Sequence, residues 1–495
     1  MSFDMTPRAA AWIVTAFIAC GVSASVFRIP IQVSDSVEIL EVVDREPSVT
    51  AAFVQGLHAS KTRLRPMRQV GTRVLLDVAH ATGDHYNVVF RGFHAAAAAL
   101  LIALFTHVAR PRDWSGTAGL CFAMLVLTGL HTFGGMMREA YPINHFLLIA
   151  IYCLAAFAIA ESRGGIVADF MACALFVIAS LTLESGLVVF GVALAAYLAG
   201  LRGISRGALV AMAVFAIGYV ILRVPLLHMT GNVVGERQTG YGTEMLATSE
   251  LRARFGNMPW VLYGYTIVCS ILTVLLSQPV AGQWTAFAPW DPQAPPLFFL
   301  NDIGTSLVAT AVVVWYLRRR RPPDGRRRWR DPEPLTMLAV LVGSAILSYA
   351  YAKSEIMSAA GVFYALVVYL AVRELLEVLV RLKPDPTNSV EVFVRLKPGP
   401  TKSVGSAFRQ TMVLAVVLFV STAWAWRAMG LQYRLQRGAF EARSEWVLRM
   451  PPFSPPPVQP AEARLTPRLL DEALHRGRTN PFLLWPPYAR LWGEN

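Results

Sequence analysis

Asp35 and Glu38 stand three residues apart in Ser34-Asp-Ser-Val-Glu38, just beyond the first long apolar stretch of the chain. A carboxylate held there, at the edge of a membrane, can act as a general base and take the proton of an attacking hydroxyl. The same spacing is also a helix-capping pair, opening a helix through Ile39, Leu40, Val42 and Val43. The two readings are compatible, because a cap fixes where a carboxylate sits.

A group of cations follows. Arg63, Arg65, Arg68 and Arg73 fall in one short segment with an Arg65-Pro66 step. Arginines at headgroup depth offer bidentate donors to a lipid phosphate, with Arg65 and Arg68 the candidates here. The bland alternative is an amphipathic helix whose polar face lies among headgroups. Between two later apolar stretches, Arg138, Glu139 and His145 share a short loop. Glu139 could orient a substrate or hold a divalent cation while Arg138 faces a phosphate. A local Arg138–Glu139 ion pair, contributing only about 0–1 kcal/mol, explains them equally well. Glu184, in Leu183-Glu-Ser-Gly186, lies in a hairpin too short to leave the membrane boundary, where an ionisable side chain is a functional candidate; the alternative is a simple pair with an arginine. Lys353 and Glu355 form another charged tip, which an ordinary solvated turn would also explain.

Other chemistries find no support. The nine histidines show no H-E-x-x-H or related ligand spacing, and the five cysteines form no C-x-x-C pair. His94 and His107 are expected to face neighbouring helices. No P-loop, G-x-S-x-G or dinucleotide fingerprint occurs, so nothing points to direct use of ATP or NAD. The cofactor is therefore unassigned, a divalent cation at Glu139 being the one option raised.

The elements that must position these residues are membrane helices. The 495 residues are 55% apolar and only 16% charged, with a mean hydropathy of +0.46; soluble chains carry about 25% charged residues. Apolar stretches occur at 9–27, 89–109, 116–133, 143–160, 165–183, 186–201, 207–224, 298–317, 334–351, 356–378 and 410–429. Each is read as a helix crossing a hydrocarbon core of about 30 Å. The fold class expected is an all-α polytopic membrane protein of about eleven or twelve such helices, with amphipathic helices in the first large loop. The first stretch is read as a retained anchor, although Val22-Ser23-Ala24 would pass as a signal-peptidase site.

Charge sets the expected orientation. The net charge is +13, and eight arginines crowd residues 318–330. Arg110/Arg112, Arg163, Arg202/Arg206 and that cluster all favour the cytoplasmic side, beside anionic lipid. No recognition motif accompanies them, so nucleic acid is not an expected partner. A further run, 260–278, is read as re-entrant or interfacial, because a full crossing would push the arginine cluster outside. The expected organisation is then a membrane domain over 1–430, containing outer loops 28–88 and 225–259, an arginine-rich cytoplasmic loop 318–333 and a cytoplasmic linker 377–409. A proline-rich outer tail, 431–495, follows. Within the linker Glu377–Val390 recurs as Glu391–Val404, too few copies for a solenoid.

Taken in order, the first span, the acidic loop with Asp35, the Arg65-Pro66 step, the short loop with Glu139 and the Leu183–Gly186 turn resemble the GT-C superfamily of polytopic glycosyltransferases. The likeness includes the protein mannosyltransferases and the aminoarabinose transferases, and covers roughly the first 225 residues. It implies a GT-C-like fold and transfer of a sugar, with inversion, from a polyprenyl-phosphate carrier to an acceptor glycan, lipid or protein. The reaction would occur on the periplasmic face of a bacterial-type inner membrane. By the same resemblance Asp35 is the base, with Glu38 beside it, and Glu139 assists or binds a metal. Family members often carry two adjacent acids in the first loop, and a lysine before the turn glutamate; here the acids are three apart and Leu183 precedes Glu184. Other readings are a transporter or flippase for lipid-linked sugars, an O-antigen ligase or polymerase type protein working through Arg237, Arg252 and Arg254, and a non-catalytic scaffold.

Overall fold

A computed structural model describes residues 5–28, 34–58, 64–138, 142–222, 239–241, 244–245, 253, 260–276, 296–320, 331–349, 354–381 and 415–431. Within them the chain is helical apart from one small antiparallel ladder, β1 (Thr239–Tyr241) with β2 (Glu244–Met245). The Arg237, Arg252 and Arg254 positions, residues 321–330 of the arginine cluster, the linker beyond Arg381 and the tail beyond Leu431 lie outside the described residues.

The helices are α1 (Pro7–Arg28), α2 (Ser34–Asp44), α3 (Val49–His58), α4 (Pro66–Ala81), α5 (Tyr86–Ala109), α6 (Trp114–Gly129), α7 (His131–Arg138) and α8 (His145–Ala160). Then come α9 (Ile166–Thr182), a 3-10 turn over Glu184–Leu187, α10 (Val188–Leu198), α11 (Arg206–Ile221) and α12 (Trp260–Leu275). The last are α13 (Pro296–Arg319), α14 (Pro332–Leu347), α15 (Ser358–Arg381) and α16 (Ala415–Leu431).

The bundle buries small polar side chains and exposes apolar ones, which is the pattern lipid selects. Thr15 of α1 meets Thr106 of α5 at 2.7 Å between hydroxyls, and Ser23 donates to the Ala95 carbonyl at 2.9 Å. Such interhelical hydrogen bonds hold helices together where no hydrophobic drive separates protein from solvent. Outward, Ile13 and Phe17 on α1, Ile166, Val167 and Phe170 on α9, and Val210, Val214 and Ile217 on α11 are all exposed. Rows of this size facing water would be an aggregation surface.

Three helices (α1, α5 and α15) are each long and apolar enough to cross a membrane, and the bent pair α6–α7 makes a fourth. The other apolar helices at expected spans are shorter. Both α6 and α8 have 16 residues, or about 24 Å at 1.5 Å per residue, against a core of about 30 Å. Against the expectation of eleven or twelve full spans, the described residues thus hold three or four helices long enough to cross and several shorter apolar ones.

The opposite end is a belt of ion pairs. Arg110 reaches Glu161 at 3.1 Å, Arg373 reaches Asp113 at 3.3 Å, and Arg319 and Arg320 each reach Glu374 at 3.2 Å. Gly203 donates to the Ala160 carbonyl and Ser205 to Asp169, bringing the loops of Arg163 and Arg202 to that end as well. The basic loops therefore share one end of the bundle, as the charge pattern predicts.

The run 260–278 forms α12 over Trp260–Leu275. Tyr263 near its start packs edge-on against Tyr349, at the end remote from the ion-pair belt. Its last carbonyl, Leu275, accepts from Thr310, near the middle of α13. Since α13 also starts at the remote end and finishes in the belt, α12 and α13 point the same way and α12 stops at mid-depth. This direction is compatible with the re-entrant expectation, and residues 277–295, which join α12 to α13, lie outside the described residues.

Candidate functional site at the broken-helix end

At the end remote from the belt, α2–α4 lie across the helix ends. Leu40 and Val43 of α2 are buried with Leu76 and Ala79 of α4 and with Tyr86 and Phe90 of α5. The expected helix is thus present, but it begins at Ser34, so Asp35 lies inside its first turn rather than at the cap, where free N–H groups favour negative charge, and Glu38 follows just beyond that turn. The side-chain positions of those two acids lie outside what is described. Glu41, one turn further on, is buried at 3% exposure.

The arginines of the segment divide their tasks. Arg65 donates from Nε to Glu184 Oε1 at 3.1 Å and from Nη2 to Oε2 at 2.7 Å, a two-point clamp on the turn after α9. Beside it Leu64 is buried against Tyr219. Arg73 donates from Nη1 to the carbonyls of Asp44 (3.2 Å) and Glu46 (2.7 Å), closing the C-terminal end of α2, and pairs with Asp77 at 2.6 Å. Arg68 is buried in α4. The Leu183–Gly186 motif is shaped by packing: a Cβ on Gly186 would overlap the Ala179 peptide, so only glycine lets the turn fold back on α9.

The floor of this end is built on α7. The helix α6 ends at Gly129, Leu130 is extended (φ −73°, ψ 138°), and α7 leaves at 65°. Three attachments hold α7. At its start, His131 Nε2 lies 3.3 Å from Asp302 Oδ2 of α13. In its middle, the side chain of Glu355 packs against Gly135. Near its end, the Met136 carbonyl accepts from Asn144 Nδ2. Asn144, at φ 40°, also caps α8 by accepting from Leu147 N at 3.2 Å; asparagine is among the few residues that adopt this backbone readily.

Two buried polar groups flank that helix. Arg91 Nη1 is 2.9 Å from His94 Nδ1, and Asn144 Nδ2 is 2.8 Å from His94 Nε2, so both ring nitrogens face donors. On the other flank Arg427, 1% exposed, lies 3.4 Å from Asp302 Oδ1 and stacks over Trp424 with its guanidinium carbon 4.7 Å from the ring centre. This second group sits near the level where the 16-residue helices end, roughly 24 Å from the belt by helix rise.

Of the residues singled out in the sequence, the structure joins Arg65 to Glu184 and places Arg138 at the end of α7. Glu139 and Lys353 lie outside the described residues. Glu355 is not a solvated turn residue, being 5% exposed. His94 faces the start of α8, as expected of it, whereas Arg91, His131, Asp302 and Arg427 are not among those singled out in the sequence, although each ionisable side chain falls inside or at the edge of an apolar run. Among the described residues, which do not include Glu139, no three His, Cys, Asp or Glu side chains gather as a metal site.

No family model matches this chain, and neither a curated protein nor a solved structure matches it.

Proposed function

We propose that the chain is a membrane glycosyltransferase of GT-C type. It would move a sugar from a polyprenyl-phosphate carrier to an acceptor hydroxyl at the end covered by α2–α4, on the periplasmic side, with inversion. The observation that carries this reading is the Arg65–Glu184 clamp. It ties together two of the sequence features on which the resemblance rests and seats the acid-bearing first loop on the ends of the bundle.

In this reading Asp35, with Glu38 beside it, takes the proton of the acceptor hydroxyl as it attacks the sugar. Arg138, with Arg68 behind it in α4, is assigned to the carrier phosphate and would stabilise the charge that grows on it as it leaves. Donor and enzyme share the membrane, which supplies proximity that a soluble donor would have to gain by binding. Glu139 assists Asp35, and Lys353 contributes charge on the same face. Glu41 is a rival for the role of base, because it is a buried acid on the same helix.

A second reading, a transporter or flippase for lipid-linked sugars, is favoured by the break between α6 and α7 with a buried charged group beside it. Native mass spectrometry of the purified chain separates both from a scaffold. A co-bound polyprenyl phosphate or its sugar adduct supports the lipid-sugar class. Ordinary phospholipid alone, with no uptake of added polyprenyl phosphate, removes it.

A further inference from the structure

We infer that Arg427, on the last helix of the described bundle, is the positioning residue of α7, acting by replacing the hydrogen-bond donor that the break at Leu130 takes away. In an unbroken helix the Gly129 carbonyl would accept from the amide of Phe133. Here Phe133 N donates instead to Leu130 O at 3.1 Å, and Gly134 N donates to the same oxygen at 3.0 Å. The Gly129 carbonyl is left to Arg427, whose Nε donates to it at 2.9 Å from 298 positions away. A buried carbonyl without a donor would be costly in the apolar interior, so the bend and the arginine depend on each other.

The arginine is fixed on its other edge. Its Nη1 donates to the Asp302 carbonyl (2.6 Å), Thr305 Oγ1 (2.9 Å) and Ser306 Oγ (2.8 Å), all on α13. Because Asp302 also meets His131, the first residue of α7, one guanidinium links α6, α7, α13 and α16 at a single point. Trp424, one turn earlier on α16, closes the approach: a Cβ on Gly129 would lie 2.8 Å from its Cε3. The helix α7 carries Arg138 at its far end, so its direction decides where the following loop begins. The inference holds whichever chemistry that loop performs, and it does not depend on the glycosyltransferase reading.

Amide hydrogen exchange on the full chain in detergent micelles, read by mass spectrometry, tests it. Arg427→Met is expected to raise exchange over residues 131–138 by about tenfold or more while peptides of α8 and α15 keep their protection. Arg427→Lys, a point charge without the planar fork, is expected to fall between wild type and Arg427→Met. The pair Arg427→Met with Asp302→Asn removes the buried charge mismatch but supplies no donor to Gly129, so α7 should stay faster than in Asp302→Asn alone, the control for the altered His131 contact. Unchanged protection of α7 in a folded Arg427→Met protein would overturn the inference. So would an equal rise in α8 and α15, or recovery of protection in the double variant, since either leaves Arg427 a general or purely charge-balancing role. Should Arg427→Met fail to fold, Arg427→Lys carries the test: a rise confined to 131–138 supports the inference and wild-type exchange there defeats it.

Discussion

Arg65 and Glu184, 119 positions apart in the chain, hold each other through two hydrogen bonds of 3.1 and 2.7 Å at the end of the bundle. The pair joins a peripheral loop to a membrane turn, with side chains only 16% and 21% exposed. Its strength therefore lies above that of a surface pair. A double-mutant cycle over Arg65→Ala and Glu184→Ala, read by thermal unfolding, should give a coupling of about 1–3 kcal/mol. Independent effects that simply add would mean the clamp does not hold the loop.

The ion-pair belt makes stability pH-dependent at Glu161. Burial pushes its carboxyl up to about 7, with Glu333 adding to the rise and Arg110 opposing it. Arg110 Nη2 is 3.1 Å from Glu161 Oε2, yet that oxygen has no well-directed hydrogen bond, so the attraction is incomplete. A raised carboxyl means that the folded chain binds this proton more tightly than the unfolded one. Stability from this group is then greatest below the ordinary carboxylate range and falls as pH rises from about 4.5 to 7. Melting temperatures measured from pH 5 to 8 should decline more steeply in wild type than in Glu161→Gln. Parallel profiles would contradict the assignment.

Glycines on the same stretch should respond oppositely. Gly186→Ala drives a methyl into the Ala179 peptide, which cannot swing aside, and should cost about 1–3 kcal/mol. Gly191→Ala, in α10, meets nothing within 4 Å, and a helical alanine there should be neutral or stabilising by up to about 1 kcal/mol. Unfolding in denaturing detergent would compare them directly, and equal losses would argue that the turn is not packed as described.

Within the first loop, two acids can be told apart. Glu41→Gln should leave sugar transfer within about tenfold of wild type if Asp35 is the base, whereas loss of a general base costs about 100- to 10,000-fold. Steady-state transfer rates of the two variants, compared after matched folding by circular dichroism, would assign the role; the larger loss in Glu41→Gln would move it there.

Much of this architecture was legible from residue pattern alone. The alternation of Ile39, Leu40, Val42 and Val43 announces α2, and arginine placement brings the basic loops to one end. The kink was not legible. Residues 116–133 read as one apolar run, since neither proline nor a charge marks Leu130, and the break depends on Trp424 and Arg427 from the far end of the chain. Arg65 and Glu184 were each candidates by type, but nothing local could pair residues so distant. Asp302 and Arg427 were hidden for a different reason: a hydropathy window averages one charge into its apolar neighbours, although that isolated charge is the informative residue.

Sugar transfer in proteoliposomes supplied with a polyprenyl-phosphate-linked sugar and an acceptor, compared between wild type and Asp35→Asn, decides whether the chain is an enzyme and Asp35 its base. Wild type is expected to transfer with inversion, and Asp35→Asn, with its fold kept, to fall by about 100-fold or more. Transfer that persists in Asp35→Asn would remove that residue as the base. Movement of intact carrier across the bilayer without any transfer by wild type would contradict the enzyme altogether.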